Sequence, residues 1–498
     1  MKRISAILFF AGTATAAVAQ TNAVKTLTLD DCVAQALQHN FDVQNVRYGP
    51  VISLDNLSGA YGGWDPTFKV GGLHTYDQTP GGLTDQQLLF PPSITYQNEF
   101  NASLGGVSPL GTQYSFNGDI GDTRGTAEGG SIGSTLGNIG VNLTQPLLKN
   151  FWIDDTRLTI YVDRNRVKYS EQGLRLQLIT TVAAVETAYY ELAYAIDNVT
   201  VQEEALKLAA QQLSDDQQRV RIQVLAEHGG TIEQDEAQVA SSRASLILAQ
   251  YTLESDQNAL KNLISDNYVA WHDTDILPAD KMDAVRQLFD VQDSWSLGLT
   301  LRPDLLQDKL NVEQQGIELK YFRNQLFPEL DLIGGYGYNG AYSKAGGYAG
   351  TVGQFADRTS PTYNYGAQLT VPLANVAARS ALKAGKATKE QLLLTLKELE
   401  QNVMVQIDNA VKQAESGWES VEATRDQRIY AEVALSAEQQ KYAVGKSTTF
   451  TVLQLQNNVT TARSAEVRSL ANYNQYLVAL AQQEGSILKQ RNIDIEVK

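Results

Sequence analysis

The sequence predicts a mostly helical chain, duplicated in tandem, that also contributes strands to a membrane β-barrel. Three observations carry this. A helix–strand–strand–long-helix order occurs twice, period-2 runs rich in Tyr and Gly recur in both copies, and long stretches hold an apolar stripe at helical spacing. Composition narrows the function. Of 498 residues 43% are hydrophobic and 19% charged, which excludes a disordered chain. A single Cys excludes a disulfide framework and a Cys-based zinc cluster. The net charge of -16 disfavours nucleic acid as a partner, because each phosphate contact requires a cation.

At the N-terminus Lys2 and Arg3 precede the apolar run Ile4 to Gly12 and the small residues Ala17-Val18-Ala19. This order predicts a signal peptide over residues 1–19. The apolar run is too short to span a bilayer, and no later stretch of ~20 apolar residues follows, so the destination is the periplasm, the exterior, or the outer membrane by way of a barrel. Cys32 follows Leu29-Asp30-Asp31 inside a helical pattern and lacks the small apolar neighbours that lipidation requires.

The opening helix is expected from Leu29 to about Gly59, with Thr28 and Asp31 forming a capping box and Asp30-Asp31 offsetting the helix dipole. Strands follow at about 66–147. Ile94, Tyr96, Phe100, Ala102 and Leu104 alternate with polar residues, as do Tyr114, Phe116 and Ile120, and then Ile139, Val141 and Leu143. In the second copy, strands at about 328–373 include Tyr363, Tyr365, Ala367, Leu369 and Val371. A half-buried soluble sheet alternates in the same way; the Tyr content and the signal peptide favour lipid. Long helices are expected over about 154–265 and 377–490, each folded back once into two helices of ~55 residues. Their stripes run through Leu178, Val182, Val185, Tyr189 and Leu192, and through Val452, Leu455, Val459, Ala462 and Tyr473.

The duplication is read from ordered matches. Asn40-Phe41-Asp42-Val43 aligns with Arg302-Pro303-Asp304-Leu305, and Gly140-Val141-Asn142-Leu143-Thr144-Gln145-Pro146-Leu147 with Gly366-Ala367-Gln368-Leu369-Thr370-Val371-Pro372-Leu373. The offset between copies shrinks by 36 residues from the first match to the second, so the first copy carries an insertion. The expected organisation is a first repeat over 20–265, a linker at 266–290 and a second repeat over 291–498.

Chemistry is sparse. Val444-Gly445-Lys446-Ser447-Thr448 ends like a phosphate loop, but Gln440 stands where its first Gly belongs. The 4 His residues lie far apart with no metal spacing, and no GxSxG occurs. No catalytic residue, cofactor or metal is assigned, and the chain is not expected to be an enzyme.

The signal peptide, Leu27-Thr28-Leu29-Asp30-Asp31, Arg302-Pro303-Asp304-Leu305, the two Leu-Thr-x-Pro-Leu segments at 143–147 and 369–373, and Tyr442-Ala443-Val444-Gly445 together resemble the TolC-like outer-membrane efflux proteins. The resemblance spans essentially the mature chain. It implies a homotrimer in which four strands per chain close a 12-stranded barrel in outer-membrane lipid, continued by a periplasmic α-helical barrel. It also implies partners, a periplasmic adaptor (membrane fusion) protein and an inner-membrane pump or secretion ATPase, and a passive channel of a tripartite efflux or type I secretion system. Two departures stand out. Several family members carry acidic residues a few positions after the Tyr-x-x-Gly turn, where this chain has Thr451 and Gln454. The matching hairpin of the first repeat holds Glu227 and Thr231, with Glu233, Asp235 and Glu236 close behind, so an acidic constriction has moved there or these carboxylates form a solvated helix face. The candidate periplasmic tip is therefore Tyr442, Gly445, Thr451, Gln454, Glu227, Thr231, Glu233, Asp235 and Glu236. Secondly, the inserted hairpin at 94–120 is expected above the membrane, with two added barrel strands per chain, 18 in all, as the other arrangement. The alternative to a channel is a periplasmic or surface helical scaffold that binds partners without transport.

Overall fold

The computed structural model describes residues 23–83, 85, 89–127, 130–221 and 231–493; the expected signal peptide lies outside them. The first repeat contains β1 (Ala23–Leu27), α1 (Leu29–His39), α2 (Phe41–Ala60), β2 (Thr67–Thr79), β3 (Gly82–Leu83), β4 (Leu89–Phe90), β5 (Ser93–Val107), β6 (Gln113–Ala127), β7 (Gly130–Pro146), α3 (Asp155–Arg221) and α4 (Thr231–Ile264). Then come α5 (Tyr268–Trp271), β8 (Thr274–Pro278), α6 (Val291–Leu301), α7 (Pro303–Asn324), β9 (Glu329–Tyr342), α8 (Tyr348–Asp357), β10 (Pro361–Thr370), α9 (Val376–Ala443), α10 (Thr449–Glu484) and α11 (Ile487–Gln490).

The capping box at Thr28 and Asp31 is present, and the Thr28 hydroxyl and amide, both donating to the Asp31 carboxylate, hold it below its ordinary range. The single expected helix over 29–59 is divided at Asn40. Its backbone is extended there, and its Oδ1 accepts from the amides of Asp42 (2.9 Å) and Val43 (3.2 Å), capping α2. Cys32 is fully buried within α1, and burial pushes its thiol up to about 12.

The chain forms two compact units, each drawing on both repeats. One takes the described parts of 1–46, 175–302 and 402–496. Here β1 pairs in parallel with β8, and Leu178, Val182, Val185, Tyr189 and Leu192 of α3 are buried, as the stripe predicts. Val403, Ile407 and Val411 of α9 and Tyr473 of α10 are buried as well, and Val452 and Val459 of α10 cluster with Leu435 and Tyr442 of α9. An ionic network links three helices: Arg463 bonds Glu432 (2.8 Å) and Glu204, and Arg428 bonds Glu432 (3.2 Å) and Glu466. The expectation of equal ~55-residue helices is corrected: α3 and α4 have 67 and 34 residues, α9 and α10 have 68 and 36. An apolar stripe continues unbroken to the turn and does not reveal where the turn falls.

The other unit takes the described parts of 47–174 and 303–401 and holds one six-stranded antiparallel sheet, ordered β10-β9-β7-β6-β5-β2. The inserted hairpin β5–β6 is not above the other strands but between β2 and β7, and the implied count of four strands per chain becomes six. Its register explains why. Phe68, Leu104, Phe116, Val141, Tyr336 and Tyr363 form one continuous row across all six strands. The adjacent row on the opposite face, Thr67, Gly105, Ser115, Asn142, Gly335 and Asn364, is polar or small. Because the side-chain period is 2, a one-residue slip would turn the apolar face of the inserted strands away from that of their neighbours. Helix α8, which alternation did not anticipate, packs on β7 and β9 at Gly137 and Gly340. A Cβ on Gly340 would stand 2.7 Å from the Thr351 carbonyl oxygen, so these glycines make the space for it.

Candidate functional site

α3 meets α9 and α10 near Asp216, and the α9–α10 turn shows how the sequence builds a helical hairpin. α9 closes in a Schellman arrangement: the amide of Gly445 donates to the Tyr442 carbonyl (3.1 Å) and that of Lys446 to the Lys441 carbonyl (2.8 Å). Gly445 has φ +76°, a left-handed conformation that favours glycine. Thr448 then caps α10 by accepting from the Thr451 amide. The phosphate-loop-like residues 444–448 are thus a helix-to-helix turn.

Tyr442, on the last turn of α9, points inward and is buried with Leu435, Val452 and Val459. Its hydroxyl donates to Asp216 Oδ1 on α3 (2.7 Å) and lies 2.8 Å from Thr449 Oγ1. Thr449 donates to Asp216 Oδ2 (3.0 Å), as does the side-chain amide of Gln212 (3.0 Å). Three donors from three helices therefore converge on one carboxylate that is 0% exposed. Asp235 of α4 is equally buried, and among the described residues neither of its oxygens has a hydrogen-bond donor. Burial first, and then the adjacent Asp216 carboxylate, push the Asp235 carboxyl up to about 7. The donors serve Asp216, and the Asp235 carboxyl beside it is the one pushed toward its neutral form. The Arg219 guanidinium stacks over the Tyr442 ring at 4.5 Å.

The remaining sequence candidates divide. Glu233, Glu236 and Gln454 are exposed, and Thr451 is half-buried. Glu227 lies outside the described residues; Thr231 is the first residue of α4. Asp235 is thus not part of a solvated face, unlike its two acidic neighbours. Asp216 was missed by sequence reasoning. A usable signal existed: Ala209, Gln212 and Asp216 occupy successive buried positions three and four apart, so a carboxylate stands on a core stripe. Among the described residues no cluster suited to a metal ion occurs.

A model of the outer membrane efflux proteins matches residues 111–265 and 296–486, more than half of the chain and once in each half. The chain belongs to the outer membrane efflux protein family. It is 24% identical over 336 residues to the outer membrane efflux protein BepC of Brucella suis, covering 67% of this chain and 69% of that one. Its fold is similar to the Campylobacter jejuni CmeC outer membrane channel (TM-score 0.66, 16% identity, covering 94% of this chain and 90% of that one). It is also similar to the open state of the Neisseria gonorrhoeae MtrE outer membrane channel (TM-score 0.64, 16% identity, 94% and 91%). The hydrogen bonds around Asp216 join α9 and α10 to α3. Withdrawing α9–α10 from α3–α4 strips Tyr442 and Thr449 from a buried carboxylate, and each hydrogen bond to a charged group is worth about 1.5–3 kcal/mol.

Proposed function

We propose that this protein is the outer-membrane channel of a tripartite efflux or type I secretion system. Three copies enclose a conduit that runs from the outer membrane into the periplasm and passively carries substrates delivered by an inner-membrane pump through a periplasmic adaptor. The observation that carries this reading is the sheet. Its apolar face presents Phe68, Val70, Tyr363, Tyr365 and Leu369 to the surroundings, and its outer strands β2 and β10 are exposed throughout. Unpaired edges in lipid leave backbone groups without partners, so such a sheet requires further strands from other copies. The helices carry the same demand: Ile247, Leu248 and Tyr251 of α4 and Val405, Tyr430 and Val433 of α9 are exposed in a single chain. A partner-binding scaffold has no use for a lipid-compatible sheet. In this reading the hairpin ends form the periplasmic tip, with the Tyr442–Asp216–Asp235 latch holding it closed and exposed Glu233 and Glu236 supplying negative charge at its mouth.

The test is bilayer conductance of the detergent-extracted protein, with the oligomer sized by light scattering. A trimer giving discrete, cation-preferring openings supports the channel. A soluble monomer that never conducts would return the protein to the scaffold class.

A further inference from the structure

We infer that the barrel assembled from this chain has 18 strands, six from each of three copies, closed by β2 of one copy against β10 of the next. The inference rests on the trimeric channel proposed above and goes beyond it in the width of the conduit.

The inserted hairpin could in principle stand above the membrane, line the lumen or join the wall. The register allows only the last. β5 pairs with β2 over thirteen residues, from Thr67–Gly105 to Thr79–Ser93, and β6 pairs with β7 from Gln113–Thr144 to Ala127–Gly130. A hairpin above the membrane would leave β2 beside β7; here Leu104 and Phe116 stand between Phe68 and Val141 in the same row. The next row of that face continues through Val70, Ala102, Gly118, Ile139, Tyr338 and Pro361. On the opposite face the hairpin offers Asn101, Ser103, Asn117 and Asp119, the composition of a wet interior. Through these rows the inserted strands match their neighbours on both faces.

Closure follows from direction. All five pairings within the sheet are antiparallel, and six is even, so β2 and β10 run oppositely. β10 of one copy therefore meets β2 of the next as an antiparallel pair, and the closed ring has no edge. With strands about 4.8 Å apart and tilted about 40°, 18 strands give a wall radius of about 18 Å, against about 12 Å for 12 strands. The wall then encloses roughly twice the area.

Two measurements test this in the full-length protein in membranes. In a Cys32→Ala background, Lys69→Cys with Ser103→Cys places thiols on directly opposed residues of β2 and β5. Thr67→Cys with Asn142→Cys places them on β2 and β7, which are opposed only if the hairpin leaves the wall. Disulfide-linked peptides are then read by mass spectrometry. Linkage of the first pair is expected; linkage of the second pair instead overturns the inference. Threefold-averaged images of the particle give the wall directly: 18 strands at about 36 Å diameter are expected, and 12 at about 24 Å overturn the inference while the channel reading stands. A particle that is not a trimer removes the channel reading itself, and the 18-strand count with it.

Discussion

Replacing Asp235 by Asn isolates the proton in the latch. The Asp235 carboxyl titrates at about 7 in the folded hairpins, raised from 3.8 by burial and by the Asp216 carboxylate. A raised carboxyl pKa means the folded state holds a proton that the opened state releases. Its contribution is fully present below the unfolded value and is lost as pH rises through about 7. The charged group acting on Asp235 is Asp216 of α3, itself bonded by Tyr442 of α9 and the uncharged Thr449 of α10, while Glu233 and Glu236 on its own helix are exposed. Between pH 5 and pH 8 the linkage is on the order of a few kcal/mol, or one to two decades in the equilibrium for local opening. Hydrogen exchange of the amides in Ile232–Gln238, corrected for intrinsic rates, reads that equilibrium. Wild-type protection is expected to fall by roughly that factor between pH 5 and pH 8. In Asp235→Asn the side-chain amide donates to Asp216 at every pH, so protection stays high and flat. A wild-type slope that survives the substitution, or protection that rises with pH, would refute the raised titration of Asp235.

Four further outcomes follow from the same geometry. Tyr442→Phe keeps the ring beneath Arg219 but removes a donor to buried Asp216; a loss of about 1.5–3 kcal/mol is expected, seen as a higher open probability in bilayers. Gly445→Ala forces a side chain into a left-handed backbone with open space around it, so only strain is added, about 1–2 kcal/mol, measured as a lower unfolding midpoint. Gly298→Val drives a branched side chain toward Ile407 Cδ1, which already lies 2.4 Å from an ideal Cβ. Overpacking of about 1–3 kcal/mol is expected and should appear in thermal melts. Finally, Glu233→Gln is expected to lower cation selectivity in a salt gradient, and adding Asp235→Asn is expected to change nothing more at pH 6, where Asp235 is already neutral. Unchanged reversal potentials in both variants would remove the displaced acidic mouth.

Much of the fold was legible because it repeats a period. The stripe from Leu178 to Leu192 and the alternation from Ile94 to Leu104 each reflect one face meeting one environment, and both faces are where periodicity puts them. What periodicity leaves out is where a pattern stops and what lies beside it. Asn40 ends one helix and starts the next through its own side chain, without disturbing the apolar spacing. The turn at Gly445 is visible as a residue, yet nothing in the stripe fixes its distance from the helix start. The partly legible latch follows the same rule: Tyr442 and Asp235 stand near a recognisable turn, whereas Asp216 belongs to another helix and gains meaning only through the three donors that reach it. The inserted hairpin is the sharpest case. Its alternation identified two strands, and alternation is blind to neighbours. Only the row from Phe68 through Leu104, Phe116 and Val141 to Tyr363 shows that the insertion lies within the sheet. An insertion that preserves the pleat, adds strands in pairs and matches both faces can enter a barrel without leaving an edge unpaired, and so widens the conduit while the closure rule remains intact.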